Sequence, residues 1–318
     1  MNQQDIKDAP DARGGELSRR EVLKCMAWAG SGVVWTMSGG IASSVLAGSA
    51  QAAEKYGELT FVQISDSHIG FNKPANPDPL ATLNETIARI KALPKAPDFV
   101  IHTGDITHLA KPEQFDTAQQ IYGSLGIPVH FIPGEHDIVD GNNPKPYIER
   151  FAKDAKGDGW YSFDANGVHF VALVNVVRLG DKGMGTLGDE QLAWLKDDLK
   201  GKSASTPIVV YSHFPMWALY EDWGWGTQDS LEAMKLLRRF GSVTALNGHI
   251  HQIQRKVEGN VTFHSGRSTA YPQPPPGQGA GPGPLVVPAE QLRANVGLSS
   301  VSLREGKGLL ALTDSVLG

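Results

Sequence analysis

Five short clusters along this chain bring together residue types that hold metal ions. In order they are Asp66-Ser67-His68, Gly104-Asp105, Gly134-Glu135-His136-Asp137, His213 and Gly248-His249-Ile250-His251. Carboxylate and imidazole donors suit divalent or trivalent iron, manganese or zinc better than soft ions. The sequence holds one cysteine, Cys25, so disulfides and thiolate-rich metal sites are excluded. Asp66 and His68 are two positions apart, and on an extended segment both side chains would face one ion; His249 and His251 repeat that spacing. Each piece alone carries little information, since an isolated D-x-H or H-x-H is more often a surface or salt-bridged pair. The ordered series of five is specific.

Residues placed this way need rigid elements to aim them. Short apolar runs predict strands at Leu59–Ile64, Phe99–His102, Val129–Ile132, His169–Val174, Ile208–Tyr211 and Val243–Leu246. Amphipathic stretches between them predict helices at Leu80–Leu93, Glu113–Leu125, Asp189–Leu199 and Ser230–Phe240. Strands alternating with helices argue for an α/β domain. Every cluster follows the end of a predicted strand, where the loops of an α/β sheet converge on one crevice. The glycines before Asp105, Glu135 and His249 permit the tight turns such a crevice requires.

The series resembles the calcineurin-like metallophosphoesterase superfamily, which includes class III cyclic nucleotide phosphodiesterases and purple acid phosphatases. The likeness covers about residues 58–270 and extends to Leu187–Leu195, which is similar to a helix of bacterial members. It implies an α/β fold of two mixed β-sheets packed as a sandwich and flanked by helices. By the same likeness Asp66, His68 and His251 hold one metal, Glu135, His213 and His249 a second, and Asp105 bridges them. His136 would be the proton donor to the leaving oxygen, with Asp137 orienting it. Two such ions, roughly 3.5–4 Å apart, bind two phosphate oxygens, and solvent bridging them becomes the nucleophile. The third motif departs from the family pattern G-N-H-D or G-N-H-E, because Glu135 stands where the asparagine is expected. A carboxylate there binds an ion more tightly but sets a negative charge near an anionic substrate.

Trp217, Tyr220, Trp223 and Trp225 follow His213 and are candidates for stacking on an aromatic leaving group, or equally for packing on the Pro-rich segment. Arg267 is a candidate phosphate ligand through its fork of donors, or a salt-bridge partner. His102, His108, His130, His169 and His264 have no role by resemblance. Between Tyr271 and Pro288 the chain is rich in Pro and Gly and carries no charge, which reads as a strap; Val296–Leu303 and Leu309–Val316 read as a terminal β-hairpin.

At the other end, Ser18-Arg19-Arg20 precedes a weakly apolar stretch from Cys25 to about Leu46, and Ala50-Gln51-Ala52 offers a cleavage site. This is the pattern of a twin-arginine export signal, too glycine-rich for a membrane span. The expected organisation is therefore a signal over 1–52, a catalytic domain over 53–270, and strap plus hairpin packed on it over 271–318. Formal net charge is −5 with no basic stripe, so duplex nucleic acid is not an expected partner. The expected partners are a small phosphate ester and the export machinery, the expected location is periplasmic or extracellular, and no membrane anchor is expected after cleavage. The chain reads as a binuclear phosphoesterase acting on a phosphodiester or phosphomonoester. The alternative is an envelope protein that keeps the metals without turnover.

Overall fold

The computed structural model describes residues 32–38, 41–47, 58–138, 142–303 and 310–318. Gly32–Ser38 (β1) and Ile41–Ala47 (β2) pair antiparallel, Gly32 opposite Ala47. The Arg19-Arg20 pair and the cleavage site of the expected export signal lie outside the described residues. No helix among the described residues is long and apolar enough to cross a membrane.

From Leu59 onward strands and helices follow in this order: β3 (Leu59–Ile64), α1 (Pro79–Lys91), β4 (Phe99–His102), α2 (Pro112–Gly123), β5 (Val129–Phe131) and α3 (Lys145–Phe151). Then come β6 (Tyr161–Ala165), β7 (Val168–Ala172), α4 (Asp189–Asp198), β8 (Ile208–Ser212), α5 (Ser230–Leu237) and β9 (Val243–Asn247). The chain closes with β10 (Arg255–Glu258), β11 (Val261–Ser265), α6 (Ala289–Asn295), β12 (Gly297–Leu303) and β13 (Leu310–Val316). Two mixed sheets result. One has the order β10-β11-β9-β8-β7-β6 and the other β13-β12-β3-β4-β5. The fold is the α/β sandwich expected from the sequence.

The central strands are apolar on consecutive residues because both faces are covered. In β3, Leu59 and Phe61 face the opposite sheet, where they meet Phe170, Val209 and Leu246, while Val62 and Ile64 pack under the helices with Leu83, Ile87 and Phe115. On the other sheet, Val171, Ile208, Val210 and Ala245 face outward and pack with Leu195, Met234 and Leu237 of α4 and α5. The helices read as their sequences demand. In α1 the Asp78 carboxylate accepts a hydrogen bond from Ala81 N–H at 3.1 Å, Pro79 occupies the first turn, and Leu83, Ile87 and Ile90 are buried at helical spacing.

The terminal hairpin is built into a sheet rather than laid upon the domain. β12 pairs antiparallel with β13 and, on its other side, with β3, placing Val301 opposite Phe61. From Leu59 onward, five elements escaped the sequence reading: β6, β10, β11, α3 and α6. β10 is Arg-Lys-Val-Glu, an exposed edge strand with no apolar run to signal it.

Candidate metal centre

Three consecutive parallel strands, β3, β4 and β5, and two of the other sheet, β8 and β9, end at one crest. The residues beyond those ends turn sharply. Asp66, His68, Asp105, His249 and His251 all adopt left-handed φ angles between 42° and 68°. The extended, same-face geometry expected for Asp66 with His68 and for His249 with His251 is therefore incorrect. Side chains converge because the backbone reverses at these residues, a conformation costly for any residue with a Cβ and held here by neighbouring bonds. Asp66 N–H donates to Gly104 O at 2.9 Å, His68 N–H to Asp105 O at 3.0 Å, and His249 N–H to Asp66 Oδ1 at 3.1 Å.

Glycine is needed here for two different reasons. Gly104 has a φ of 94°. Gly134 instead yields space: a Cβ there would lie 2.0 Å from Asp105 Oδ1.

The structure brings Asp66, His68 and His251 together in one group, and Glu135, His213 and His249 in another, with the donor atoms of each group within 4.8 Å of one another. Asp105 stands between them. Its Oδ2 lies 3.4 Å from His68 Nε2 and 3.4 Å from His213 Nε2, while Oδ1 accepts the backbone N–H of His136 at 2.9 Å. In the first group His251 Nε2 is 3.2 Å from both Asp66 Oδ1 and His68 Nε2. In the second Glu135 Oε1 is 3.0 Å from His249 Nδ1, and Glu135 Oε2 is 2.7 Å from His213 Nε2.

The chemistry of these donors fits metal ions. His213 Nδ1 pairs with the carbonyl of Thr103 at 2.7 Å and His251 Nδ1 with that of Tyr271 at 2.6 Å, so each ring donates there and presents its Nε2 lone pair to the centre. His213 Nε2 and Glu135 Oε2, though close, are out of hydrogen-bond alignment and are buried without a hydrogen-bond partner. Two buried lone pairs aimed at one point call for a cation.

The ionisation pattern agrees. Burial opposes charge on Asp66, but His251 and His213 outweigh it and hold the carboxyl below its ordinary value; for Glu135, burial is likewise outweighed by His249 and His213. Burial opposes a charged His213 ring, and Asp105 with Glu135 overcomes it and holds the pKa well above the usual range. A proton and a metal ion would therefore compete for that nitrogen. His68 is pushed the other way by burial and by the nearby His136 and His251 rings.

His136 sits at the rim. Its Nδ1 pairs with the carbonyl of His108 at 2.8 Å, and the two rings stack with centroids 4.7 Å apart. Burial would keep it neutral, yet Asp105 and Glu135 raise its pKa. Asp137 does not orient that ring, contrary to expectation. Its carboxylate accepts from the backbone N–H groups of Ile106, Thr107 and Gly134 and from the Thr107 hydroxyl, all within 3.0 Å. Asp137 thus ties the β4 and β5 loops together, and burial followed by the Asp105 charge pushes its pKa up to about 6.

The substrate-side expectations fare differently. Arg267 Nη1 reaches the carbonyl of Asn295 at 3.5 Å, at the end of α6, and does not line the cavity over the metal groups. Trp217 packs on Phe263 at 5.0 Å, and Tyr220 lies edge-on to Trp223 beside Gly277 of the strap. Trp225 is fully buried. None of the four lines the cavity over the metal groups, and of the four Tyr220 is the one placed beside the Pro-rich segment.

The cavity itself, about 280 Å3, is walled by Phe71, Lys73, His108, Tyr271, Gln273 and Pro282–Pro284 together with metal-group residues. None of these was singled out for a substrate role. Tyr271 stacks over His68 at 4.9 Å, and Gln273 Nε2 donates to His249 O at 3.0 Å, so the strap is bonded to the site it borders. His108 had a sequence signal, being three residues past Asp105, and Tyr271, Gln273 and Pro282–Pro284 lie in the segment read as a strap.

Comparison with known proteins places these observations in a family context. A family model described as calcineurin-like phosphoesterase matches residues 59–253. The chain is 26% identical over 219 residues to a 3',5'-cyclic-nucleotide phosphodiesterase of Nostoc sp., covering 67% of this chain and 79% of that one. It is 35% identical over 142 residues to purple acid phosphatase 23 of Arabidopsis thaliana, covering 41% of this chain and only 29% of the relative. Among solved structures, a dimetal phosphatase from Danio rerio superposes with a TM-score of 0.62 at 16% identity, over 82% of this chain and 96% of that one.

Proposed function

Because this chain belongs to the calcineurin-like phosphoesterase family, we propose that it hydrolyses a phosphodiester or phosphomonoester with two metal ions held side by side. The broader class, a metal-dependent hydrolase of phosphoric esters, comes with the family. The observation that carries the binuclear reading is the pair of donor groups flanking one carboxylate, Asp105. Asp66, His68 and His251 would hold one ion, Glu135, His213 and His249 the other, and Asp105 both. When bound, such ions polarise a phosphoryl oxygen and lower the pKa of water.

The protein's own groups do the rest. His136, with Nδ1 fixed on the His108 carbonyl and its pKa raised by Asp105 and Glu135, keeps a proton on Nε2 for the departing oxygen. Glu135 adds a negative charge to the second group, which favours a singly charged diester over a doubly charged monoester.

The test pairs elemental analysis with hydrolysis of bis(p-nitrophenyl) phosphate and p-nitrophenyl phosphate. Two metals per chain and turnover abolished by a chelator support the reading, and a faster rate on the diester supports the charge preference. Two metals with no turnover on either ester would favour a metal-holding protein without catalysis. Less than one metal per chain would overturn the site.

A further inference from the structure

The cavity over the metal groups is lined by two carboxylates, Asp105 and Glu135, four histidines and one lysine, Lys73. Lys73 is exposed and makes no ion pair among the described residues. An exposed lysine is ordinarily a mobile charge with no assigned position. Here its loop is anchored on both sides to the same short segment that touches the metal groups. Upstream, Phe71 packs on Tyr271 with ring centroids 4.3 Å apart, and its N–H donates to His68 O at 2.9 Å. Downstream, the buried Asn76 donates from its backbone to Lys73 O at 3.0 Å and from its side chain to Ala270 O at 2.6 Å. Tyr271 in turn accepts from His251 through its carbonyl and stacks on His68. The Lys73 backbone is thus held against the first metal group, while the ammonium is left without a carboxylate partner.

We propose that Lys73 is a substrate-binding residue that holds an anionic oxygen of the phosphate ester at the mouth of the cavity. This rests on the phosphoesterase reading and adds the cation on the substrate side. Three acidic side chains, Asp66, Asp105 and Glu135, offset much of the charge that two metal ions would bring. An approaching phosphate therefore meets less attraction than in a site with a neutral amide at position 135. A flexible ammonium at the rim restores that attraction without competing for the ions. The Pro282-Gly283-Pro284 part of the lining bears no charge, so Lys73 is the one lysine or arginine that an entering anion meets there.

Lys73→Ala and Lys73→Arg, both in the full metal-loaded chain, test the assignment. For Lys73→Ala, KM for bis(p-nitrophenyl) phosphate should rise about tenfold with kcat within about threefold, while Lys73→Arg keeps KM near the parent value. Calorimetric binding of inorganic phosphate should weaken by a similar factor in Lys73→Ala, and this readout needs no turnover. An unchanged KM and unchanged phosphate affinity in Lys73→Ala would overturn the role of Lys73 and leave the phosphoesterase reading intact. A loss of kcat with KM unchanged would also overturn it. If the parent protein turns over neither ester, the phosphoesterase reading fails, and phosphate calorimetry alone decides Lys73.

Discussion

At the residue scale, the centre depends on donors whose second atoms are already occupied. His213 and His251 each spend one ring nitrogen on a backbone carbonyl, which fixes the tautomer facing inward. Gly134→Ala should therefore act on metal binding without altering any donor. Its Cβ would meet Asp105 Oδ1 at 2.0 Å and push the shared carboxylate off the midline. Metal content below two per chain, in a protein whose circular dichroism stays native, is the expected outcome; full loading would show that Asp105 has room to move. His136→Ala should leave metal content intact and lower kcat by about 10²-fold or more, the usual contribution of a positioned general acid. A residual rate close to the parent's would remove His136 from the reaction. The clusters that hold these residues were legible in the sequence because their donor types are few and their order is unusual. What was not legible was how they converge. Left-handed φ at Asp66 or His249 leaves no mark in composition, and the carbonyl partner of His136 is a backbone atom that no side-chain pattern reports.

At the scale of elements, the edges of the two sheets are joined by charge. Asp314 on β13 accepts from His264 of β11 at 2.9 Å, from Ser299 of β12 at 2.6 Å and from Arg255 of β10. Burial would raise its pKa, but these donors, His264 foremost, bring it below the ordinary carboxylate range. A carboxyl depressed in the folded state lends stability that is present above its ordinary pKa and lost as pH falls below it. Asp314→Asn should remove about 1–3 kcal/mol, read as a lower urea midpoint at neutral pH. An unchanged midpoint would mean that solvent satisfies those donors equally well. β5 offers the same sign in a higher pH window. His130 stacks on Phe163 at 3.9 Å, and burial lowers its pKa to about 4, below the 6.5 expected when unfolded. The unfolded chain then binds the proton more readily, so stability is full above pH 6.5 and falls as pH drops from about 6.5 toward 4. His130→Phe should flatten that part of the profile while keeping the stack. Most strands that the sequence reading located are buried on both faces, where apolar residues run consecutively; the edge strands β5 and β13 were located although only partly buried. β6 and β10 were missed because edge strands need only half a pattern, and Tyr161-Ser162-Phe163-Asp164 or Arg255-Lys256-Val257-Glu258 is easily taken for a loop.

At the scale of the whole molecule, metal ions that bind only the folded chain add to its stability in proportion to the logarithm of their concentration. Chelation should therefore lower the thermal midpoint as well as stop turnover, and stoichiometric manganese or zinc should restore both. Loss of activity with no change in midpoint would place the essential ion elsewhere. The export reading belongs to this scale too: we propose that the chain acts outside the cytoplasmic membrane, and replacement of both Arg19 and Arg20 by lysine should hold it inside the cell. Equal partition of the parent and double variant on fractionation would sink that reading.

Five of the proposed ligand positions sit where a glycine would be at ease and an aspartate or histidine is not. Selection for durability and selection for chemistry consequently pull this crest in opposite directions. A redesign guided by stability alone would begin its replacements at Asp66, His68, Asp105, His249 and His251, and would arrive at a hardier protein with nothing left to hold an ion. Conversely, glycine at any one of these turns would relieve the backbone and remove a proposed donor.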